Sequence, residues 1–191
     1  MSFKRKFHLF LLVLFVLIIL GYNIYIIYLD NAYSESSQRV RIFYFFVYIF
    51  FLSLFYAKLE IEIEGEHGWA QNLPTWVYKP KWIISLMNGK YPTGYHTFSF
   101  ALFIPAIFHF PIFFADWNLS REFVVLGAFF LFLVMEDFLW FSLNPKFSIK
   151  NFNSKNKKIW WHKKWFGPLP EFYLESLVIA FIFLSLGLPN F

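Results

Sequence analysis

The sequence predicts an all-α integral membrane helical bundle with about five transmembrane helices. Of the 191 residues, 59% are hydrophobic and only 15% are charged, whereas a soluble domain has roughly 45–50% apolar and about 25% charged residues. The apolar residues are also gathered into runs close to the ~20 residues that cross the hydrocarbon core of a bilayer. Because there is no internal repeat or low-complexity linker, we predict a single polytopic membrane domain over residues 1–191.

Five apolar runs are predicted to cross the membrane. The first follows three basic residues, is too long for the apolar part of a signal peptide, and lacks a small-residue cleavage site. Pro105 and Pro111 predict kinks in the third run, Pro145 closes the fourth, and Pro170 opens the fifth, where its missing N–H costs nothing. The predicted spans are about 7–29, 42–59, 97–115, 121–143 and 170–188.

A long segment separates the second and third spans. Within it, the stretch from Trp82 to Met87 is apolar but too short to cross a bilayer, and it is flanked by Lys81 and by Asn88 with Gly89. This pattern predicts an interfacial helix that lies along the membrane surface.

Lysine and arginine are distributed unequally between the two sides of the predicted bundle. With the N-terminus inside, fourteen of the 17 Lys and Arg lie on the cytoplasmic side, and only Arg39, Arg41 and Arg121 lie outside. Cytoplasmic segments of membrane proteins carry an excess of these residues. The sequence therefore predicts an N-inside, C-outside orientation.

The charges and aromatic residues beside the spans indicate lipid partners. The net charge of +5 comes from lysines next to apolar runs, so no nucleic-acid partner is predicted. The basic segment Lys146–Lys164 is predicted to contact anionic headgroups, at about 1 kcal/mol per lysine, and it could also gather an anionic substrate. The chain has no cysteine, which excludes disulfides, thiolate ligands and cysteine nucleophiles. Six tryptophans fall where an interfacial aromatic belt is expected, namely Trp69, Trp76, Trp82, Trp160, Trp161 and Trp165.

Two adjacent carboxylates, Glu136 and Asp137, lie within the fourth apolar run. Intramembrane charge is costly unless something pairs with it, so this pair is the main functional clue. We interpret the two residues as metal ligands, general acid/base groups or a proton relay. The alternative is a structural hydrogen bond to a lysine, to Asn144 or to an indole. Since neighbours on a helix point about 100° apart, only one of the pair is expected to face straight into the bundle.

Other polar side chains are predicted to lie at the same depth on the cytoplasmic side. Glu60, Glu64 and His67 would share one helix face, a spacing that suits a metal ion, but Gly65 and Gly68 argue against a helix that reaches His67. His162 stands among tryptophans and is either a rim residue or a ligand. The candidate metal ligands are Glu64, His67, His96, Glu136, His162 and Glu171, and the candidate catalytic residues are Glu136, Asp137 and His162. Oxygen and imidazole donors of this kind suit a divalent Zn, Mn or Fe ion.

Two known classes of membrane enzyme fit poorly. Histidine-box desaturases need many clustered histidines, whereas this chain has 5 histidines and no HxxH or HxxxH pattern. Lipid phosphate phosphatases carry a Pro-Ser-Gly-His element that Pro92–His96 faintly resembles, but their arginine-containing elements are missing.

Four motifs do resemble those of a family of prokaryotic multi-pass membrane proteins that has no known activity. The motifs are EGxxGWAxxLPTW at Glu64–Trp76, TGYH at Thr93–His96, EDFLWFxLNP at Glu136–Pro145 and WWHxxWxGP at Trp160–Pro168. The resemblance covers about residues 60–175. It implies a similar topology in a prokaryotic plasma membrane, and it implies nothing about chemistry.

These observations predict a small membrane enzyme that acts on a lipid or lipophilic substrate at a carboxylate and histidine site. One alternative is a non-catalytic transporter element or an interaction subunit that pairs with another membrane protein or with a second copy in an oligomer. Another is that the polar residues only hold the fold together. An enzyme requires a cavity lined by several of these side chains, whereas an interaction subunit predicts carboxylates that face outward or are closed in saturated pairs.

Overall fold

The computed structural model describes residues 3–28, 35–87, 89–114, 117–147 and 149–190. These residues are mostly helical, which confirms the predicted helical class, and their only sheet is a two-stranded hairpin. The helices are α1 (Phe3–Tyr28), α2 (Glu35–Glu64), α3 (Lys81–Leu86), α4 (Gly94–His96), α5 (Ile104–His109), α6 (Leu119–Leu143) and α7 (Glu171–Gly187). The hairpin joins β1 (Trp165–Phe166) to β2 (Leu169–Pro170).

Three helical segments of the described chain are long and apolar enough to cross a membrane. They are Gln38–Glu64, Gly94–Ile112 and Leu119–Leu143, and they coincide with the second, third and fourth predicted spans. This is the pattern of a helical membrane protein. Helices α1 and α7 occupy the positions of the first and fifth predicted spans, whose crossing of the membrane stays a prediction.

The chain divides into two compact units, one up to Phe51 and the other from Leu52 onward. In the first unit, α1 and the beginning of α2 pack through aromatic rings: the ring centroids of Phe15 and Phe51 lie 5.2 Å apart, and those of Tyr22 and Tyr44 lie 4.6 Å apart. The second unit contains all of the predicted site residues.

The second unit is built around close packing of α6 against α7. A Cβ atom added to Gly127 would lie 2.6 Å from Cγ of Leu184, and one added to Gly187 would lie 2.6 Å from the carbonyl oxygen of Ser120. Larger residues at either glycine would force the two helices apart. On α6 the fully buried ring of Phe132 forms edge-to-face contacts with neighbouring aromatic rings.

The helical segment that contains the two prolines changes its hydrogen-bond pattern beside each of them. After α4, the residues Thr97–Phe103 form a π-helix, α5 then carries Pro105, and a 3₁₀ turn at Phe110–Phe114 carries Pro111. A proline nitrogen cannot donate the regular helical hydrogen bond, so the neighbouring backbone adopts other spacings. The two interruptions therefore fall where the prolines predict a departure from a regular helix.

Two loops, 65–93 and 144–170, meet at one end of the second unit. The side chain of Asn144 donates a 2.6 Å hydrogen bond to the carbonyl oxygen of Gly65, and the rings of Trp69 and Trp161 stack with centroids 6.5 Å apart. A Cβ on Gly68 would lie 2.5 Å from the Trp161 ring, so this glycine permits the close approach. The loops close over a buried core of Ala57, Ile61, Trp140, Phe141, Phe147, Ile159 and Trp161.

The tryptophans divide into two groups. Trp161 is only 4% exposed and holds the two loops together, whereas Trp76 and Trp82 remain exposed as an interfacial belt requires. Trp82 lies on α3, where the short helix was predicted. Tryptophan is suited both to a membrane interface and to a buried core. The aromatic-belt interpretation therefore misses the packing role of Trp161.

Candidate functional site

A cavity of about 690 Å³ lies where the two loops meet the ends of α2, α4, α6 and α7. Six predicted site residues line it: Glu64, His96, Glu136, Asp137, His162 and Glu171. Part of its wall is apolar and is formed by Phe100, Ala101, Pro105, Phe129 and Leu133. The cavity therefore presents carboxylates and imidazoles beside a hydrocarbon-like surface.

Three of the cavity residues form a candidate metal centre. Glu60, Glu64 and His96 each offer one ligand atom, and these atoms all lie within 4.8 Å of one another. The two carboxylates project from the same face of α2 because they are four residues apart, and both are buried. Two carboxylate oxygens and an imidazole nitrogen form a donor set that divalent transition metals accept.

The imidazole of His96 is held in a fixed orientation. Its Nδ1 atom lies 2.8 Å from the hydroxyl of Thr93, which also accepts a hydrogen bond from the backbone N–H of His96. The ring stacks on Trp69, with centroids 4.2 Å apart, and on Phe100. Such a partner on one nitrogen orients the ring and leaves the other nitrogen, Nε2, as the ligand atom.

The two glutamates of α2 are held by different donors. The hydroxyl of Tyr95 donates a 3.1 Å hydrogen bond to Oε1 of Glu60, and the backbone N–H of Ala70 donates to Oε1 of Glu64. Trp69 and Ala70 have φ angles of 61° and 52°, in the left-handed region that costs about 1–2 kcal/mol for a residue with a side chain. The strained backbone of this turn directs an N–H group at Glu64. Such strain is typical of functional sites.

His67 lies outside the cavity. Helix α2 ends at Glu64, and Gly65 adopts a left-handed conformation with φ of 68°, so the helical face does not continue to His67. The His67 side chain is exposed, and its Nε2 atom lies 3.8 Å from Glu66. The glycines in the sequence favour this helix end, and we leave His67 out of the site.

Glu136 and Asp137 turn toward different partners. Glu136 is only 3% exposed and lines the cavity together with Glu60 of α2. Asp137 accepts hydrogen bonds at Oδ2 from Nε2 of His162, at 2.8 Å, and from the hydroxyl of Tyr173 on α7. Both residues line the cavity. The roughly 100° angle between them on the helix directs them at different partners, and neither residue points away from the cavity.

His162 is buried beside Asp137 rather than standing at the rim. Its side chain is 1% exposed, and its Nε2–H donates to the carboxylate of Asp137. This pairing fixes the tautomer that carries its proton on Nε2 and leaves the lone pair on Nδ1. Among the described residues nothing contacts Nδ1 at hydrogen-bonding distance. The arrangement suits a general base or a metal ligand whose orientation is set by a carboxylate.

Besides Oε2 of Glu171, which is ion-paired with Lys164, three buried polar atoms of the cavity have no hydrogen-bond partner in the described part of the chain: Oε1 of Glu136, Nε1 of Trp140 and Nδ1 of His162. Glu136 and Trp140 lie one turn apart on α6. Buried polar atoms are nearly always paired, and an unpaired one costs about 1–3 kcal/mol. Their concentration in one cavity leaves several hydrogen-bonding positions there for water or a polar ligand.

Several site residues were not predicted as such. Glu60 belongs to the candidate metal centre. The sequence signal for Glu60 was its spacing from Glu64, which places the two residues on one helix face only if α2 continues past residue 59. Tyr173 and Trp140 were missed because nothing in the sequence indicates that they face Asp137 or the cavity. Glu171 was predicted, and it forms an ion pair with Lys164, with Nζ and Oε2 3.2 Å apart.

No protein-family model, curated protein or solved structure matches this chain. The resemblance to a family of prokaryotic multi-pass membrane proteins therefore stays a prediction. The function is inferred from the chemistry of the cavity itself.

Proposed function

We propose that this protein is a metal-dependent membrane enzyme that acts on a lipid or lipophilic substrate. The observation that carries the proposal is one cavity in which Glu60, Glu64 and His96 converge within 4.8 Å beside the paired Asp137 and His162. In this proposal the chain crosses a prokaryotic plasma membrane five times, with its N-terminus inside, its C-terminus outside, and the cavity at the cytoplasmic surface.

Charge supports a metal ion at this position. Two ionised carboxylates whose oxygens lie within 4.8 Å of each other repel by about 3.5 kcal/mol or more at an effective dielectric constant of 20. Glu60, Glu64 and His96 would hold a divalent ion that offsets this repulsion, and Zn, Mn and Fe fit this oxygen and imidazole set. When bound, such an ion supplies a Lewis acid and an activated water molecule.

The residues of the chain would supply the proton transfers. Nδ1 of His162 accepts a proton from the attacking group, and Asp137 stabilises the imidazolium that forms, because its carboxylate accepts from Nε2. Tyr173 donates to the same carboxylate oxygen and holds it in place. Glu136, a buried carboxyl group in the cavity, is the candidate general acid for the leaving group.

The walls of the cavity support a lipophilic substrate. Phe100, Phe129 and Leu133 line it and belong to helical segments long and apolar enough to cross a membrane. The volume of about 690 Å³ is within the range of roughly 300–1,000 Å³ for small-molecule sites. An acyl or isoprenoid chain can lie against these residues while its polar end reaches the carboxylates.

The positions of the connecting segments support the proposed topology. Loops 65–93 and 144–170, both predicted to be cytoplasmic, contact each other through Asn144 and Gly65. The C-terminal end of α7 lies instead beside the start of α6, where Gly187 contacts Ser120. Segments predicted to share a side of the membrane therefore lie at the same end of the second unit.

A non-catalytic transporter element is the second candidate. It is favoured by two buried carboxyl groups, Glu60 and Glu136, that line the same cavity, because intramembrane carboxyl groups of this kind form proton relays. The interaction subunit is disfavoured, because it predicts carboxylates that face outward or are closed in saturated pairs, whereas Glu136 is only 3% exposed and its Oε1 has no hydrogen-bond partner among the described residues.

The test is a turnover screen with purified protein in nanodiscs. Wild type supplied with Zn²⁺, Mn²⁺ or Fe²⁺ is incubated with a bacterial lipid extract, and changes in lipid mass are followed by mass spectrometry. Glu64→Gln and His162→Ala should reduce turnover by about 10²-fold or more, whereas Glu62→Gln, an exposed neighbour on α2, should not. Absence of turnover by wild type, or full turnover by both site variants, would refute the enzyme.

A further inference from the structure

Lys90 lines the cavity and has an unusual environment for a lysine. Its ammonium group lies 4.4 Å from the ring centroid of Phe172 and 5.3 Å from that of Trp69. No carboxylate of the described residues forms an ion pair with it. The aromatic rings hold this cation in place without neutralising it.

A second lysine, Lys163, packs against the turn that carries Lys90. The side chain of Lys163 crosses Gly89 so closely that an added Cβ would lie 2.0 Å from Nζ and 2.7 Å from Cε. Gly89 has φ of 86°, a conformation that glycine favours, so the turn that carries Lys90 is shaped to admit this lysine. Lys163 also lines the cavity and has no carboxylate partner in the described part of the chain, whereas the adjacent Lys164 is paired with Glu171.

Burial lowers the pKa of Lys90 from its ordinary value, and the charges of Asp137 and Glu175 oppose that shift only in part. The cavity is therefore lined by one partly desolvated cation, Lys90, and by an exposed one, Lys163, whose side chain crosses the residue before Lys90. A bound anion would offset the cost of burying Lys90. Lysine ammonium groups bind phosphate as point charges, and two of them lining one cavity form a suitable site for a phosphate group.

We propose that Lys90 and Lys163 bind the phosphate group of an amphiphilic substrate, whose hydrocarbon chain lies against Phe100, Phe129 and Leu133. The apolar wall and the lysine end belong to one cavity, so a single phosphate-bearing lipid contacts both. A free phosphate ion would contact only the lysines. The identification of this ligand as a substrate rests on the proposed function, whereas its binding rests on the lysine geometry.

The test is equilibrium binding to purified protein in a neutral maltoside detergent, measured by calorimetry. The probes are dodecyl phosphate, dodecanol and inorganic phosphate. Dodecyl phosphate should bind saturably and at least about tenfold more tightly than either of the others, because only it contacts both parts of the cavity. Lys90→Met and Lys163→Met should each weaken that binding by about tenfold. Lys90→Arg should retain it, and Lys155→Met, a control at an exposed lysine, should leave it unchanged.

Three results would overturn the inference: dodecanol binding as tightly as dodecyl phosphate, inorganic phosphate binding as tightly as dodecyl phosphate, or unchanged binding in both methionine variants that elute as folded protein. The second result would assign the site to a free anion. Lysine-dependent binding without any turnover would refute the proposed enzyme and leave the phosphate site standing. Turnover of neutral lipids that is insensitive to both lysines would refute the phosphate site alone.

Discussion

Substitution of Glu64 by Gln is expected to change stability in opposite directions with and without metal. Glutamine preserves the shape of the side chain, and its Oε1 atom can still accept from the backbone N–H of Ala70. It removes one of two negative charges that lie within 4.8 Å of each other. Metal-free variant protein should therefore be more stable than metal-free wild type.

The size of both effects follows from the separation of the charges. Removing a repulsion between two ionised carboxylates whose oxygens lie within 4.8 Å of each other stabilises by about 3.5 kcal/mol at that separation and an effective dielectric constant of 20. A ligand at 100 times its dissociation constant stabilises wild type by about 2.7 kcal/mol. Since each kcal/mol shifts the melting temperature of a chain this size by about 2–4 °C, both differences are measurable.

The assay is thermal unfolding in detergent, with a chelator in one series and with Zn²⁺ or Mn²⁺ in the other. Wild type should gain stability on metal addition, and Glu64→Gln should gain little. Glu62→Gln is the matched control, because Glu62 lies on the same helix and is exposed. It should follow wild type in both series.

The reasoning is refuted if Glu64→Gln and Glu62→Gln give the same melting temperatures in both series. It is also refuted if metal stabilises Glu64→Gln as much as wild type. Destabilisation of Glu64→Gln in the chelator series would show that the carboxylates are not in repulsive contact.

Asp137→Asn should preserve the local hydrogen bonds but remove the charge that stabilises a protonated imidazole, so turnover in the lipid assay should fall about 10²–10⁴-fold; a normal rate would exclude the general-base role. Gly89→Ala should weaken dodecyl phosphate binding in calorimetry, because the added Cβ would collide with the side chain of Lys163. Gly167→Ala is the control and should show no such loss, because φ is also positive there but the space is open. Because burial lowers the pKa of Lys90, that ammonium loses its charge at lower pH than an exposed lysine, and dodecyl phosphate affinity should fall as pH rises through the lowered pKa. Lys90→Arg, which stays charged, should hold its affinity to higher pH, and identical pH profiles for the two proteins would contradict this assignment.

The helices were predictable where one physical signal dominated. Hydrophobicity identified the three segments long enough to cross a membrane, and the glycine after Glu64 indicated the end of α2 before His67. The second membrane span was predicted to end near residue 59, and the sequence left open whether the helix continued beyond it, because alternating glutamates have the period of a strand. Packing of the helix overrode that local pattern and placed Glu60 and Glu64 on one buried face.

The sequence indicated a common depth for the site residues, but it did not indicate which of them are hydrogen bonded to each other. The cost of charge in an apolar segment indicated Glu136 and Asp137, and the order of the spans brought His96 and His162 to the same end. Which donor meets which acceptor depends on long-range packing, which no local pattern encodes. The partners of Asp137, for example, are 25 and 36 residues away in the sequence, and Lys90 was interpreted only as a topology signal.

The most direct test of the metal centre is elemental analysis of the protein purified in detergent without chelators. Wild type and the exposed-site control His67→Ala should contain close to one equivalent of a transition metal, and Glu64→Gln and His96→Ala should lose most of it. Absence of metal from wild type expressed with supplied Zn²⁺, Mn²⁺ and Fe²⁺, or full retention in both site variants, would contradict a metal centre at Glu60, Glu64 and His96.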